Sequence, residues 1–92
     1  MAYRLLYLPG VAKDLRQLAE SVRERVRNAL EFLAGEPRTG KPLHGGLAPF
    51  WSYRVGDYRI VYEIQDQELV ILVVMIGHRR AIYQRARRKT VT

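Results

Sequence analysis

Hydrophobic positions recur along this chain with a period that changes from one stretch to the next, and the changes separate a strand, two helices and a sheet-forming half. Tyr3 to Leu8 alternates loosely in aromatic and aliphatic residues, the pattern of a first strand, and Pro9-Gly10 ends it. Val11, Ala12, Leu15, Leu18 and Ala19 then return at three- and four-residue spacing, which predicts a short amphipathic helix with Lys13 and Arg16 on its polar side. Ser21 followed three residues later by Glu24 has the form of a capping box. Val22, Val26, Ala29, Leu30 and Leu33 continue as one stripe, so a second helix is expected from about Val22 to Ala34, with Gly35 suited to its C-terminal cap and Pro37 stopping it. The cationic side of that helix, Arg23, Arg25 and Arg27, either contacts RNA or a protein partner or is solvated beside Glu20, Glu24 and Glu31. Glu36 to Pro49 holds three prolines and three glycines, which marks it as the loop between helices and sheet; its Lys41 and His44 either approach RNA or, the simpler reading, are solvated and lie outside the catalytic set.

From Trp51 onward the period is two. Between SYRV and YRIVYEI lies Gly56-Asp57, and a glycine at the first central position suits a two-residue type II′ hairpin turn. That turn pairs Val55 with Tyr58, Arg54 with Arg59, Tyr53 with Ile60 and Ser52 with Val61. Taking Asp66-Gln67 as a second tight turn makes Glu68 to Ile76 the next strand, with Tyr58 opposite Met75 and Arg59 opposite Val74. Tyr53, Val55, Tyr58, Ile60, Tyr62, Ile64, Leu69, Ile71, Val73 and Met75 then share a face under the helices. The other face carries Ser52, Arg54, Arg59 and Glu63 with Val61, Val70, Leu72 and Val74. An apolar strip on that face without intramolecular cover predicts a protein partner. The expected class is α+β in the order β-α-α-β-β-β, one domain over residues 1–92, with 84–92 a basic tail.

Arg54 and Arg59 placed opposite each other repel by roughly 0.2–1 kcal/mol. An anion relieves that repulsion, and phosphate fits the guanidinium fork, although two arginines alone also splay into water or pair with Glu63. Gly77, His78, Arg79, Arg80 and Tyr83 follow the last strand closely and are expected beside the same sheet end, a grouping that resembles a phosphodiester site.

Sixteen Lys/Arg against nine Asp/Glu give a net charge of +7, which favours a polyanionic or acidic partner without choosing among them. The absence of cysteine excludes disulfides and Cys-based zinc sites, and two histidines without an acidic cluster predict neither metal nor cofactor. The longest apolar run, Leu69 to Ile76, is too short to cross a bilayer, so a cytoplasmic protein without membrane contact is expected.

RVGDYRIVYEI, the hydrophobic strand after it and IGHRRAIY, together with YRLLYLPGVAKDLRQL and EPRTGKPLHGGL earlier, resemble the RelE branch of the RelE/ParE toxin superfamily over nearly the whole chain. The resemblance implies a small RelE-like fold and a toxin of a type II toxin–antitoxin system. It implies a metal-independent endoribonuclease that cuts mRNA on the ribosome, the substrate's 2′-hydroxyl attacking the adjacent phosphate. Carried over by position, Arg54, Arg59 and Arg79 would bind and stabilise the phosphate and Tyr83 would stack on a base, the first choice, or assist proton transfer, with Arg80 and Arg85 as further RNA contacts. Some members carry lysine where this chain has Ser52, which leaves the general base open. His78 titrates near neutrality and is the candidate substitute, while a strand-end histidine also serves simply to hydrogen-bond the backbone. The implied partners are mRNA and ribosome, a cognate antitoxin on Val61, Val70, Leu72 and Val74, and operator DNA only through the antitoxin complex. Two other functions share the resemblance: a ParE-like toxin that binds DNA gyrase, and a degenerate member that only binds its antitoxin.

Overall fold

The computed structural model describes residues 2–85. Residues 86–92, most of the expected basic tail, lie outside the described residues. A first strand, β1 (Arg4–Tyr7), leads through Pro9 into α1 (Gly10–Arg16) and α2 (Glu20–Gly35). Then come a 3-10 turn (Pro37–Thr39), a two-residue strand β2 (Lys41–Pro42), a second 3-10 turn (Gly45–Leu47), and the strands β3 (Trp51–Val55), β4 (Tyr58–Gln65) and β5 (Val70–His78). A helical turn begins at 82 and is described to 85. The strands form one sheet in the order β1-β5-β4-β3-β2, antiparallel except where β1 runs parallel to β5. The architecture is the α+β class that the periodicity predicts, and no helix among the described residues is long and apolar enough to cross a membrane.

Two helix boundaries differ from the sequence reading. The second helix starts at Glu20 with Ala19 as its N-cap and no side-chain capping bond, so Ser21 lies in the first turn instead of capping it. Glu20 in that turn complements the positive end of the helix. At the other end the helix runs through Gly35, and the Glu36 amide donates to the Phe32 carbonyl. Half-buried Arg23 reaches back toward α1: its guanidinium donates to the carbonyls of Leu15 at 3.0 Å and Leu18 at 2.8 Å, at and just past the end of that helix. The helix α1 stops at Arg16 although the apolar spacing continues to Ala19.

The first hairpin has the expected register, Arg54 opposite Arg59, and Gly56 alone of its turn pair takes positive φ, at 59°. The second hairpin does not. Its turn spans four residues, with Gln65 opposite Val70 and Leu69 at φ 53°. Asp66 fixes it: one carboxylate oxygen accepts from the Tyr3 hydroxyl at 2.6 Å and the other from Arg38, contacts that hold this carboxyl below its usual range. A bulge between Val61 and Tyr62 then shifts the pairing again, so Val61 faces Met75 while Tyr62 faces Val73. The shift turns Met75 to the face away from the helices and Ile76 toward them, and brings Gly77 opposite Arg59 and His78 opposite Tyr58.

Val11, Val26, Leu30 and Leu33 pack the helices onto Ile60, Tyr62, Ile71 and Val73. The opposite face has a core of its own, in which Val61, Val74 and Met75 lie under Leu47 and Ile82 with Leu43, Phe50 and Tyr83 at the margin. The uncovered strip expected there is therefore corrected. Val61, Val70 and Val74 are buried and only Leu72 is half-exposed; over Val61 and Val74 the 36–49 loop and the chain after β5 fold back onto the sheet.

Gly40 is where that loop meets the sheet most tightly, since a methyl group there would collide with the Tyr62 hydroxyl and stand 2.7 Å from the Ser52 carbonyl oxygen. The Tyr62 hydroxyl donates to the Pro37 carbonyl at 2.7 Å, and burial pushes its pKa up to about 12. Gly40→Ala is expected to destabilise the fold by about 1–3 kcal/mol through overpacking. A thermal melt would register it as a fall of about 4–8 °C for each kcal/mol.

Candidate functional site

The loop that covers the second face leaves a cleft of ≈ 600 Å³ between β2 and the end of the β3–β4 hairpin. Lys41, Ser52, Tyr53, Arg54, Arg59 and Tyr83 are among its lining residues, and none of the lining residues is acidic. A volume of this size suits a nucleotide-scale ligand. The hairpin delivers the two arginines as cross-strand neighbours on one face. Both turn toward the Gly56 carbonyl, Arg54 through Nε at 3.2 Å and Arg59 through Nη1 at 3.4 Å, and Arg59 also donates to the Tyr58 carbonyl at 3.1 Å. One peptide dipole thus draws two like charges together. A guanidinium carries five N–H donors, so most of theirs stay available to a ligand. Neither arginine forms an ion pair among the described residues.

Tyr83 arrives from the helical turn that begins at 82. Its hydroxyl lies 3.2 Å from Ser52 Oγ, and Ile82, fully buried, anchors the turn on the sheet. Ser52 therefore ties the chain after β5 to β3. A second tie lies on the far side of that turn. Asp14, a buried carboxylate on α1, accepts the Ile76 amide at 3.0 Å and an Arg85 N–H at 2.9 Å. Past Tyr7 the edge of β5 has no strand beside it among the described residues, and Asp14 provides the acceptor that a strand would have given. Gly77 makes room for the crossing, because a Cβ there would meet Arg85 Nη1 at 2.9 Å and Ile82 Cδ1 at 3.0 Å.

The structure thus brings Arg54, Arg59 and Tyr83 together and adds Lys41 and Ser52, while other expected site residues stand elsewhere. Arg79 lies at the hairpin tip, its amide donating to the Asp57 carbonyl and its guanidinium 3.8 Å from the Asp57 carboxylate. Arg80 is exposed outside the cleft lining, and Arg85 is directed to Asp14. His78 pairs with Tyr58, whose ring packs on the helix-side core, so it points to the face opposite the arginines. There its ring meets Tyr58 edge-on at 5.6 Å and its Nδ1 accepts the Arg80 amide at 3.2 Å. The bulge is the cause, since it inverts which residues of β5 face the cleft. His78→Gln should accordingly leave the pH profile of any reaction in the cleft unchanged, which rate measurements from about pH 5.5 to 8 would check.

Asp14 is the residue that the sequence reading passed over, and Lys41 the one that it left in a solvated loop. Asp14 shows no local signal, because its partners lie more than sixty residues away. Lys41 had one: the proline after it suits the outermost strand of a sheet. No group of three or more His, Cys, Asp or Glu side chains among the described residues is placed to hold a metal ion.

Comparison with known proteins gives a consistent set of likenesses. The family model for the ParE toxin of type II toxin–antitoxin systems, parDE, matches residues 5–83. Toxin RelG of Mycobacterium tuberculosis is 34% identical over 87 residues, which cover 92% of this chain and 100% of that protein. The mRNA interferase toxin RelE of Escherichia coli is 28% identical over 81 residues, covering 86% and 85%. Among solved structures, a free-state mutant of E. coli RelE superposes with a TM-score of 0.81 at 28% identity, covering 97% of this chain and 98% of that one. The toxin–antitoxin complex RelBE2 of M. tuberculosis contains a chain that superposes with a TM-score of 0.79 at 32% identity, covering 86% and 100%.

Proposed function

The chain belongs to the RelE/ParE superfamily of toxins from type II toxin–antitoxin systems, and on that premise we propose that it is a cytoplasmic endoribonuclease that cuts mRNA on the ribosome and is silenced by a cognate antitoxin. The observation that carries the reading is the acid-free cleft in which Arg54 and Arg59 stand as cross-strand neighbours below Tyr83. Cleavage begins when the 2′-oxygen of one nucleotide gives up its proton and forms a bond to the adjacent phosphorus, and it ends when the bond to the 5′-oxygen breaks and that oxygen takes up a proton, leaving a 2′,3′-cyclic phosphate and a free 5′-hydroxyl. Negative charge on the phosphate oxygens is greatest between the two events. Two permanently charged forks already oriented by the Gly56 carbonyl stabilise that charge without having to reorganise. Tyr83 in the cleft lining offers a ring on which an unpaired base stacks. Arg79 is held only by a solvent-exposed contact to Asp57, weak enough to be exchanged for phosphate.

The names of the relatives support the same direction, since E. coli RelE is described as an mRNA interferase. Antitoxin binding is supported by the structural neighbours that are toxin–antitoxin complexes. Half-exposed Leu72, beside the exposed Leu6 on β1, is the part of the expected strip that stays open to such a partner. The test is to add purified protein to ribosomes programmed with a defined mRNA and to map new ends by primer extension. Discrete cuts are expected. Intact message together with inhibited gyrase would replace this reading with the gyrase-binding one.

A further inference from the structure

We infer that Lys41 is a catalytic cation of this cleft, supplying from the neighbouring strand the positive charge that Ser52 does not. The inference rests on the RNA-cleaving reading above. In the two-residue strand β2, Lys41 stands directly opposite Ser52 and Pro42 opposite Trp51. Residues opposite each other in an antiparallel pair share a face, and the Ser52 hydroxyl lies on the cleft side because it meets Tyr83. Alternation along the strand agrees, since the preceding Gly40 is aimed at Tyr62 in the helix-side core. The Lys41 side chain is thus directed into the cleft it lines with Arg54, Arg59 and Tyr83.

The backbone that carries Lys41 is fixed on both sides. Gly40 is pressed against the Ser52 carbonyl, and the Leu43 amide donates to the Phe50 carbonyl at 2.8 Å. Buried Leu47 holds the rest of the loop on the second core. Lys41 is exposed and makes no ion pair among the described residues. Along the sheet, 41, 52, 54 and 59 are successive same-face neighbours, spaced by about 5 Å across strands and about 7 Å along one. A four-carbon stem covers that distance, so the Lys41 ammonium reaches an oxygen of a phosphate held by the arginines. Three cations converging in a cleft without an acidic lining residue repel one another, and the developing phosphorane is the species that relieves this most. Lys41 is assigned charge stabilisation by contact with a non-bridging oxygen, with no proton gained or lost.

Single-turnover cleavage of ribosome-bound mRNA by wild type, Lys41→Met and Lys41→Arg, each with a thermal melt, tests the inference. Lys41→Met should be slower by about 10²-fold at saturating protein, as for loss of one transition-state donor, with half-saturation changed by less than about threefold and an unchanged melt. Lys41→Arg, which keeps the charge, should recover most of the rate. Equal rates for wild type and Lys41→Met would overturn the role of Lys41 while leaving the nuclease reading intact, and an arginine variant as slow as the methionine one would overturn the charge assignment. Failure of the wild type itself to cut would remove both readings together.

Discussion

Arg59→Ala should slow RNA cleavage by about two to three orders of magnitude while leaving the melting temperature unchanged or slightly higher. The rate falls because one oriented donor to the developing phosphate charge is lost. Stability does not fall, because Arg59 is partly exposed and stands opposite Arg54, a like-charge pair whose removal relieves roughly 0.2–1 kcal/mol. Arg54→Ala should behave alike, and the double variant should be less than multiplicatively worse, since both guanidiniums serve one phosphate. Rates on programmed ribosomes beside melts of the same preparations would check this. If both single variants stay within threefold of wild type, the cleft is not where the charge develops.

The second large effect is expected from a residue outside the cleft. Asp14→Ala leaves the buried Ile76 amide without its acceptor and releases Arg85. An unsatisfied buried amide costs about 1–3 kcal/mol, whereas the half-exposed Arg85 finds water and adds little. For a domain of this size a loss of about 2 kcal/mol lowers Tm by about 10 °C. Asp14→Asn keeps a carbonyl oxygen for the amide and should lose about half as much. Both variants should also cleave more slowly, because the turn that presents Tyr83 loses its tether. Calorimetric melts would measure the first effect and single-turnover rates the second; an unaltered melt for Asp14→Ala would show that the β5 edge does not depend on this carboxylate.

What the sequence made legible follows from how local each determinant is. Gly56-Asp57 specifies a two-residue turn by itself, so the register that sets Arg54 against Arg59 could be read directly. The second hairpin depends on Tyr3 and Arg38 gripping Asp66 from distant parts of the chain, and nothing within the Asp66-Gln67 stretch announces it. The bulge at Val61/Tyr62 was equally hidden. Because a one-residue slip exchanges the faces of a strand, this one feature moved Met75 away from the helix-side core and placed His78 behind the sheet. Cover of the second face was missed for a related reason: Leu47 and Ile82 are single apolar residues in segments that otherwise read as loop and tail. Lys41 belongs to the same class, a loop residue until the pairing of β2 with β3 gives it a face.

The central claim, that this chain cuts RNA by attack of the substrate's own 2′-hydroxyl in the cleft of Arg54 and Arg59, is tested most directly by the substrate. An mRNA carrying a single 2′-deoxynucleotide immediately 5′ of a mapped cut should be bound on the ribosome and left uncut at that position, while the all-ribose message is cleaved to a 2′,3′-cyclic phosphate end. Cleavage at the deoxy position at the ordinary rate would contradict the account.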